Sequence, residues 1–394
     1  MNVPKLRFKE FTDEWEFLPA EKLFSNINEK NFPNENLLTI IQGKGTILRT
    51  QSGRDILFDE SRKNTYKKVQ RNDFIIHLRS FEAGLEIANS NGIVSPAYTI
   101  LRNKIPIATM FYRNYFRSNK FINQILRKAV EGIRDGKQIS YSQFKKLPII
   151  YASLDEQKKI ANFLSTVDKK ISNLEDIIIN LEKQKKGLLQ QIFNQELRFK
   201  DENDNNYPDW EKKKLGDISD VRDGTHDSPK YINSGYPLIT SKNIQNGKIS
   251  FKDINYISKE DYNNINKRSK VSIGDILMSM IGTVGNVALL SEENFAIKNV
   301  ALFKEKSLLK NIFLIQYLQS NLFYKSINNL NEGGTQKFIS LKNIRNLYIN
   351  LPCLEEQTKI ADFLSAFDRK IDNQKAQLEH WKQIKKGLLQ QMFV

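Results

Sequence analysis

Two stretches of the chain place apolar residues at alternating steps of four and three, which is typical of helices that pair with one another. The seam of the first stretch is Ile160, Leu164, Val167, Ile171, Leu174, Ile178 and Leu181. The seam of the second is Ile360, Leu364, Phe367, Ile371, Leu378 and Trp381. Polar Lys185 interrupts the first seam, and polar Gln374 and Lys385 interrupt the second. We therefore predict two helices, each roughly 60 Å long at about 1.5 Å per residue.

The two stretches are copies of one another. The first reads DEQKKIANFLSTVDKKI and ends KKGLLQQIF, and the second reads EEQTKIADFLSAFDRKI and ends KKGLLQQMF. An offset of 200 residues relates them without a gap, and about half of the 39 positions from Asp155 to Phe193 are identical. The chain is thus a tandem duplication. Both copies carry a mid-helix glycine, Gly187 and Gly387, which indicates either close approach of another backbone or a local fray point.

The region before the first long helix and the region between the two long helices have the short, turn-bounded apolar runs of mixed α/β domains. The predicted strands are Leu37–Ile41, Asp73–Leu78 and Ala97–Leu101 in one region and Pro237–Thr240, Asp275–Met280 and Ala296–Phe303 in the other. The predicted helices are Tyr115–Val130 and Asn311–Ile327. The fold class is therefore α+β, with similar mixed domains over residues 1–150 and 195–350, long helices over 151–194 and 351–394, and a pseudo-two-fold internal repeat.

A short segment precedes each domain. Leu6-Arg7-Phe8-Lys9 recurs as Leu197-Arg198-Phe199-Lys200, and a tryptophan follows each time, Trp15 and Trp210. We call these two segments the lead-ins. The second lead-in follows a long helix, whereas the first opens the chain and the other long helix closes it. The order helix, lead-in, domain is therefore continuous in the middle of the chain and interrupted only by the two termini. We expect the two termini to lie close together.

The positive charge of the chain is concentrated in the two domains. The formal net charge is +16, of which residues 15–150 carry +10, residues 210–350 carry +7 and each long helix about +1. Two basic domains on a nearly neutral scaffold are expected of a protein that binds a polyanion such as DNA. A lysine-rich surface selected for solubility would look the same. With no apolar signal core and a single cysteine, Cys353, we expect a cytoplasmic protein.

No catalytic, cofactor or metal site emerges from the sequence. Three scattered histidines and one cysteine form no ligand cluster, and no phosphate-binding GxxxxGK motif occurs. A nuclease-like site could be assembled from Asp209 with Glu211–Lys213, or from Glu156–Lys158. We interpret both groups as solvated charges, at a domain edge and at a helix start. These absences favour a binding protein over an enzyme.

The polar loops of the basic domains supply candidate DNA contacts, because Arg, Lys, Asn, Gln and His side chains can hydrogen-bond to base edges or phosphates. In the first domain the candidates are Arg49, Arg54, Lys67, Lys68, Arg79, Lys137 and Gln138. In the second domain they are Arg222, His226, Lys230, Lys242, Asn243, Gln336 and Lys337.

The motifs together resemble the specificity subunits of type I restriction-modification systems. The doubled helix motif and the two lead-ins carry the resemblance. So do the stretches RSFEAGLEIANSNGIVSPAY, DGTHDSP and GDILMSMIGTVGN, so that it covers nearly the whole chain. It implies two target recognition domains, each contacting one half of a split, asymmetric DNA site. It also implies that the long helices pair antiparallel as a coiled coil and fix the gap between the half-sites.

The resemblance further implies partners. These are double-stranded DNA, two methyltransferase subunits and, in the full complex, two restriction-translocase subunits. S-adenosylmethionine would be bound by the methyltransferase subunits, and no cofactor by this chain. An alternative from the residues alone is a coiled-coil structural adaptor whose basic domains bind proteins.

Overall fold

The computed structural model describes residues 3–53, 60–77, 84–132, 138–330 and 338–393. The chain divides into two compact units. The first unit comprises Met1–Glu175 together with Ala376–Val394, and the second comprises Asp176–Lys375. Each unit therefore contains one mixed domain and a part of each long helix. The sequence-based division at residues 150, 194 and 350 instead separates whole helices from whole domains.

The first domain is built around a four-stranded antiparallel sheet in the order β2-β9-β6-β7. Its elements are β1 (Glu16–Pro19), α1 (Ala20–Leu23), β2 (Phe24–Ile27), β3 (Leu38–Ile41), β4 (Gly45–Leu48), β5 (Lys67–Val69), β6 (Phe74–Ile76), β7 (Glu86–Ile87), β8 (Gly92–Val94), β9 (Thr99–Asn103), α2 (Thr109–Tyr115), β10 (Val130–Glu131), β11 (Gln138–Ile139), α3 (Tyr141–Phe144) and β12 (Pro148–Tyr151). The pairs β1–β12, β3–β4, β5–β8 and β10–β11 form two-stranded sheets. All three strands predicted here are present.

The helix predicted over Tyr115–Val130 is wrong in its bounds. Helix α2 begins six residues earlier and ends at Tyr115, and the chain continues as a π-helix (Phe121–Ile125) and a 3-10 helix (Leu126–Ala129). Three buried aromatic rings require this break. Phe121 lies 5.0 Å from the Tyr115 ring and 4.8 Å from the Phe116 ring, measured between centroids. Burying each such ring contributes about 1.5–3 kcal/mol, which outweighs helix continuity.

The first long helix is α4 (Leu154–Phe193), within one residue of the repeat boundaries read from the sequence. The second domain follows it and repeats the first domain's main sheet in the order β14-β22-β19-β20. Its elements are β13 (Glu211–Lys214), α5 (Leu215–Ile218), β14 (Asp220–Asp223), β15 (Tyr236–Ile239), β16 (Ile244–Gln245), β17 (Lys248–Ile249), β18 (Asn255–Ile257), α6 (Lys259–Ser269), β19 (Ile276–Ser279), β20 (Val287–Leu289), β21 (Ala296–Ile297), β22 (Val300–Lys304), α7 (Asn311–Leu318), α8 (Asn321–Asn328), α9 (Leu341–Arg345) and β23 (Tyr348–Leu351).

Two predicted elements of the second domain are each divided in two. The strand over Ala296–Phe303 is β21 and β22, because Asn299 between them has a φ of 54°, which a strand cannot accommodate. The helix over Asn311–Ile327 is α7 and α8, because the Ser320 hydroxyl accepts a hydrogen bond from Phe323 N at 3.3 Å and caps a new helix. Strand β15 pairs with β18 antiparallel and with β21 parallel.

The second long helix is α10 (Leu354–Met392), and it runs antiparallel to α4 within each unit. In the first unit, Asp168 pairs with Lys385 at 2.5 Å and Glu175 with Lys382 at 3.2 Å. In the second unit, Glu182 pairs with Lys375 and Lys185 with Asp368, both at 2.6 Å. Rising residue numbers on one helix thus meet falling numbers on the other, which confirms the antiparallel coiled coil.

The predicted seam residues are all buried or half-buried. At the beginning of each helix, however, Ile160, Leu164, Ile360 and Leu364 pack into the cores of the domains. Lys185, predicted to interrupt the seam, is itself only 7% exposed, and its ammonium donates to Asp368 Oδ1 and to Gln319 Oε1 at 3.0 Å. A Cβ at Gly187 or Gly387 would meet no described atom within 4 Å, so close backbone approach does not explain these glycines.

A buried carboxylate at the start of each long helix binds the lead-in. Glu156 accepts from Arg7 Nε and Nη2 at 2.7 and 2.8 Å and from Trp15 Nε1 at 2.9 Å. Glu356 accepts from Arg198 Nε and Nη2 at 2.8 and 2.9 Å and from Trp210 Nε1 at 2.8 Å. These carboxylates are 2% and 0% exposed, so our interpretation of Glu156 as a solvated charge is wrong. We call each Glu–Arg–Trp set a clasp.

The glutamine after each clasp glutamate ties the long helix to the domain. The Gln157 carboxamide accepts from Ala108 N at 3.0 Å, at the start of α2, and donates to Ala152 O at 2.8 Å. Gln357 likewise accepts from Lys310 N, at the start of α7, and donates to Pro352 O, both at 2.9 Å. The repeated Glu-Gln pair is therefore a structural joint rather than part of a nuclease centre.

The two chain termini meet in the first unit, as expected. Leu6 N donates to Gln391 O at 2.9 Å, and the rings of Phe111 and Phe393 lie 5.3 Å apart. The first lead-in therefore follows the end of α10 in space as the second follows the end of α4 in sequence.

Candidate nucleic-acid interface

Two of the candidate contacts of the first domain lie around Tyr98. Lys67, on β5, donates from its ammonium to the Tyr98 carbonyl at 2.6 Å, and the charge of Arg49 acts on the Tyr98 hydroxyl. The Tyr98 hydroxyl lies 3.4 Å from His77 Nε2, and the two rings are 4.9 Å apart. Burial lowers the pKa of His77 and raises the pKa of Tyr98, so both are neutral hydrogen-bonding groups near pH 7.

His77 and Tyr98 were missed by the sequence analysis, which considered charged and amide side chains of loops. Tyr98 is the last residue of the SPAY stretch, and nothing in the local sequence distinguishes it before the strands are paired. The result is a half-buried polar cluster of Arg49, Lys67, His77 and Tyr98. Such a cluster can offer several donors and acceptors to a base edge at little cost in side-chain entropy.

The remaining candidates of the first domain are dispersed. Lys68 lies 4.1 Å above the Phe32 ring and pairs with Glu35 at 3.5 Å, so its charge is already engaged. Gln138 is exposed on β11. Arg54, Arg79 and Lys137 lie outside the described residues.

In the second domain, the turn-rich stretch DGTHDSP forms a loop that is fixed in place. His226 contacts Asp223 Oδ2 at 2.9 Å and Asn299 Oδ1 at 2.8 Å through its two ring nitrogens. Thr225 N donates to Ile297 O at 3.0 Å, and Asn299 N donates back to Thr225 O at 3.1 Å. A Cβ at Gly224 would meet Ile297 O at 2.2 Å, so only glycine fits there. The loop is held to the β21–β22 turn.

Exposed polar side chains surround this fixed loop. His226 is 61% exposed on its outer face, and Lys230 is exposed just beyond it. Arg268, at the end of α6, is 60% exposed and pairs with Asp223, and Lys298 donates to Ser228 Oγ at 2.7 Å. Arg268 and Lys298 were missed because they join the loop only through the fold. A fixed backbone with exposed donors is the arrangement expected of a base-contacting loop.

The other candidates of the second domain differ in availability. The Arg222 guanidinium is already engaged, because Nη2 donates to Asp220 Oδ2 at 2.6 Å and Nη1 donates to the Arg268 carbonyl at 3.1 Å. Lys242 is exposed. Asn243 is 2% exposed and forms a capping box with Thr240, so it is a turn residue that no base edge can reach. Gln336 and Lys337 lie outside the described residues.

Each unit also has a cleft between its domain and the long helices. The first cleft has a volume of about 650 Å³ and is lined by five basic side chains, Arg117, Arg127, Lys382, Lys385 and Lys386. No acidic side chain lines it. Three of the five form ion pairs with acidic residues that do not line the cleft. These pairs are Arg117–Glu86, Lys382–Glu175 and Lys385–Asp168. Arg127 and Lys386 form no ion pair with a described residue, so the first cleft attracts anions.

The second cleft, of about 690 Å³, uses repeat-related residues but has no excess charge. Lys185 and Lys186 stand where the first cleft has Lys385 and Lys386. Glu182 replaces Lys382, and Asp368 and Asp372 also line the wall. The two units thus share a scaffold and differ in the charge that they present.

Among the residues described, no three His, Cys, Asp or Glu side chains are grouped so that they could bind a metal ion. Within the same residues, no helix is both long and apolar enough to cross a membrane.

Solved structures from type I restriction-modification systems have a similar fold. The crystal structure of a type I restriction-modification S subunit from M. genitalium superposes with a TM-score of 0.60 at 17% identity, covering 100% of this chain and 99% of that one. A chain from a study of complex assembly and conformational transition of the type I R-M system gives a TM-score of 0.57 over 96% of this chain and 97% of that one, also at 17% identity. At this identity the likeness establishes the fold.

Sequence relatives agree. The family model of the type I restriction modification DNA specificity domain matches residues 207–381. The MjaVIII specificity subunit of Methanocaldococcus jannaschii is 26% identical, and the alignment spans 96% of this chain and 91% of that protein. The EcoKI specificity subunit of Escherichia coli K12 is 29% identical over 41% of this chain and 35% of its own length. Over nearly its whole length the chain is therefore similar to type I restriction enzyme specificity subunits.

The matched region, 207–381, runs from the second lead-in through the second domain into α10. It therefore contains Trp210 and Glu356 of the second clasp, one main sheet and the fixed DGTHDSP loop. The first domain, which lies outside that match, repeats the same sheet order and clasp. The relatives that it matches are named specificity subunits of type I restriction enzymes.

Proposed function

We propose that this chain selects the DNA sequence on which a type I restriction-modification complex acts, with each domain contacting one half of a split, asymmetric site. The observation that carries the proposal is the duplication. Two units share the same sheet order and the same clasp, yet they present different polar groups in their loops and clefts. Two units with the same main-sheet order and clasp but different polar groups are suited to a DNA site whose two halves differ in sequence.

The described contacts support one interface per domain. In the first domain it contains Arg49, Lys67, His77 and Tyr98. In the second it contains His226, Lys230 and Arg268 around the fixed loop. Hydrogen bonds within the chain hold the side chains of Lys67, His226 and Arg268 in place, so binding DNA costs less conformational entropy.

The long helices and the partners complete the proposed function. Continuous helices of fixed length set the gap between the half-sites, and about one turn of DNA, ~34 Å, separates half-site centres in two-domain recognition. Two methyltransferase subunits dock on the specificity subunit and bind S-adenosylmethionine. Two restriction subunits join the full complex. This chain contributes sequence selection and assembly, and no cofactor of its own.

The test is to co-express the chain with a methyltransferase subunit of the same source and to map methylated bases in the host DNA. The expected result is one split motif with a fixed unspecified gap. Exchanging residues 15–150 for the corresponding domain of another specificity subunit should change one half of the motif and leave the other half unchanged.

A complex that forms and binds S-adenosylmethionine but methylates no defined motif would contradict the proposal. It would favour the coiled-coil adaptor, whose partners are proteins. The adaptor also predicts that DNA binding, if present, has no sequence preference.

The difference in net charge between the two clefts gives a second prediction. If the first cleft binds a DNA phosphate, Lys386→Ala should lower the slope of log affinity against log salt concentration by about one, equally for specific and unrelated DNA. The matched control is Lys186→Ala, which removes the repeat-related lysine from the uncharged cleft. We expect no change in its slope. Fluorescence anisotropy of the methyltransferase complex on short duplexes measures both slopes, and equal slopes for the two variants would contradict the assignment.

A further inference from the structure

The ion pairs between α4 and α10 follow the 200-residue repeat in one case and reverse it in another. Asp168–Lys385 in the first unit has its repeat partner in Asp368–Lys185 of the second, with the same signs at the same positions. Glu175–Lys382 has its repeat partner in Lys375–Glu182, where both signs are exchanged. Both arrangements satisfy the pairing of α4 with α10.

The two arrangements differ for a helix that pairs with a second copy of itself. In antiparallel α4–α4 pairing, the repeat places Asp168 against Lys185 of the second copy, which attracts. It also places Glu175 against Glu182 of the second copy, which repels. In α10–α10 pairing, Asp368 meets Lys385, which attracts, whereas Lys375 meets Lys382, which repels. Of these ion pairs between α4 and α10, only the reversed ones separate correct pairing from self-pairing.

The apolar seam makes this distinction only in part. Ile160, Leu164, Ile171 and Ile178 have an Ile or Leu as repeat partner, whereas Val167, Leu174 and Leu181 correspond to Phe367, Gln374 and Trp381. Identical elements exchanged between chains are a low-cost route to dimers, and such misassembly is characteristic of repeat proteins. In coiled coils, charges that flank the seam set partner choice. The reversed residues are in that place, since all four side chains are between 42% and 51% exposed.

We propose that the reversed pair formed by Glu175, Lys382, Glu182 and Lys375 makes α4 accept α10 of its own chain and reject α4 of a second copy. The surface is the flank of the helix seam, and the partner that it excludes is a second copy of this chain. Each half-exposed contact is weak. A two-chain dimer formed by self-pairing would hold four like-charge contacts of this kind, two in each helix pair, and their effect accumulates.

Charge exchange within the intact chain tests the proposal. The variant Glu182→Lys with Lys375→Glu keeps every α4–α10 pair complementary and makes every self-pairing contact complementary too. The matched control, Asp168→Lys with Lys385→Asp, also keeps α4–α10 complementary and makes every self-pairing contact repulsive. Each full-length chain is unfolded in urea, refolded over a range of protein concentrations and examined by sedimentation velocity.

We expect the dimer fraction to fall in the order charge-exchanged variant, wild type, control. The dimer dissociation constant of the charge-exchanged variant should be on the order of tenfold lower than that of the control. Urea midpoints that agree among the three monomers show that α4–α10 pairing is intact. Equal dimer fractions in all three, including no dimer in any, would overturn the proposal. A dimer favoured by the control would also overturn it.

Discussion

Inserting one heptad into each long helix is expected to lengthen the gap of the recognised DNA site by about three base pairs and to leave both half-site sequences unchanged. Seven residues add about 10.5 Å of helix at 1.5 Å each, and DNA rises 3.4 Å per base pair. Repeating residues 175–181 after Leu181 and residues 375–381 after Trp381 continues the seam at steps of four and three. It also leaves both clasps untouched. Mapping methylated bases in cells that express the variant with its methyltransferase subunit measures the gap.

The matched control inserts the same heptad into α4 alone. The two helices then differ in length, the seam falls out of register on one side of the insertion, and we expect defined methylation to be lost. Three base pairs also turn the DNA by about a third of a helical turn, so the two-helix variant should methylate more slowly than the wild type. Altered half-site sequences in the two-helix variant would contradict the proposal that the helices set the gap.

Long-period features of the fold could be predicted from the sequence because the chain contains them twice. The 200-residue offset and the seam gave α4 and α10 to within a few residues, and the recurrence of LRFK and tryptophan placed the termini together. The two shorter helical runs were wrong in detail. Buried rings around Phe116 and the cap at Ser320 end helices that the apolar pattern alone would continue.

The clasps show where sequence reasoning stopped short. A glutamate at a helix start is usually solvated, and the partners of Glu156, Arg7 and Trp15, are about 150 residues away in the chain. The signal was nevertheless present, because Arg, Trp and Glu recur together at the 200-residue offset or near it in both halves. Groups that recur together in a tandem repeat can be expected to contact one another.

The candidate interface was predicted least completely. Side-chain type identified Lys67 and His226, which the fold places in polar clusters, but it could not separate them from Asn243, which caps a turn. It also missed Tyr98 and Arg268. Which loop residues face one another depends on strand pairing between segments far apart in sequence, and no local pattern encodes that pairing.

Replacing Arg198 by alanine is expected to lower the free energy of unfolding of the second unit by about 3–5 kcal/mol. Glu356 is 0% exposed and receives two of its three hydrogen bonds from Arg198, so the variant leaves a buried carboxylate with Trp210 as its main donor. Removing one partner of a buried ion pair costs far more than the pair itself contributes. Urea unfolding followed by hydrogen exchange measures the loss and assigns it to a unit.

Two comparisons distinguish a clasp from an ordinary ion pair. Lys200→Ala, in the same lead-in, removes an exposed pair with Asp204 and should cost less than about 1 kcal/mol. Glu356→Gln introduced into the Arg198→Ala chain removes the unpaired charge and should recover part of the lost stability. If Arg198→Ala lowers the free energy of unfolding by no more than Lys200→Ala does, water hydrates the Glu356 carboxylate in the variant. The clasp is then not a structural anchor.

The repeat makes the same experiment available in the first unit. Arg7→Ala removes two of the three hydrogen bonds that Glu156 accepts and leaves Trp15 as its donor. The Arg7 and Arg198 variants should therefore destabilise different units by similar amounts. Because each clasp fixes a lead-in to the beginning of a long helix, each variant should also weaken methylation that depends on the half-site of its own domain. Loss confined to one half-site per variant follows only if the two domains bind DNA as separate modules on the shared helices.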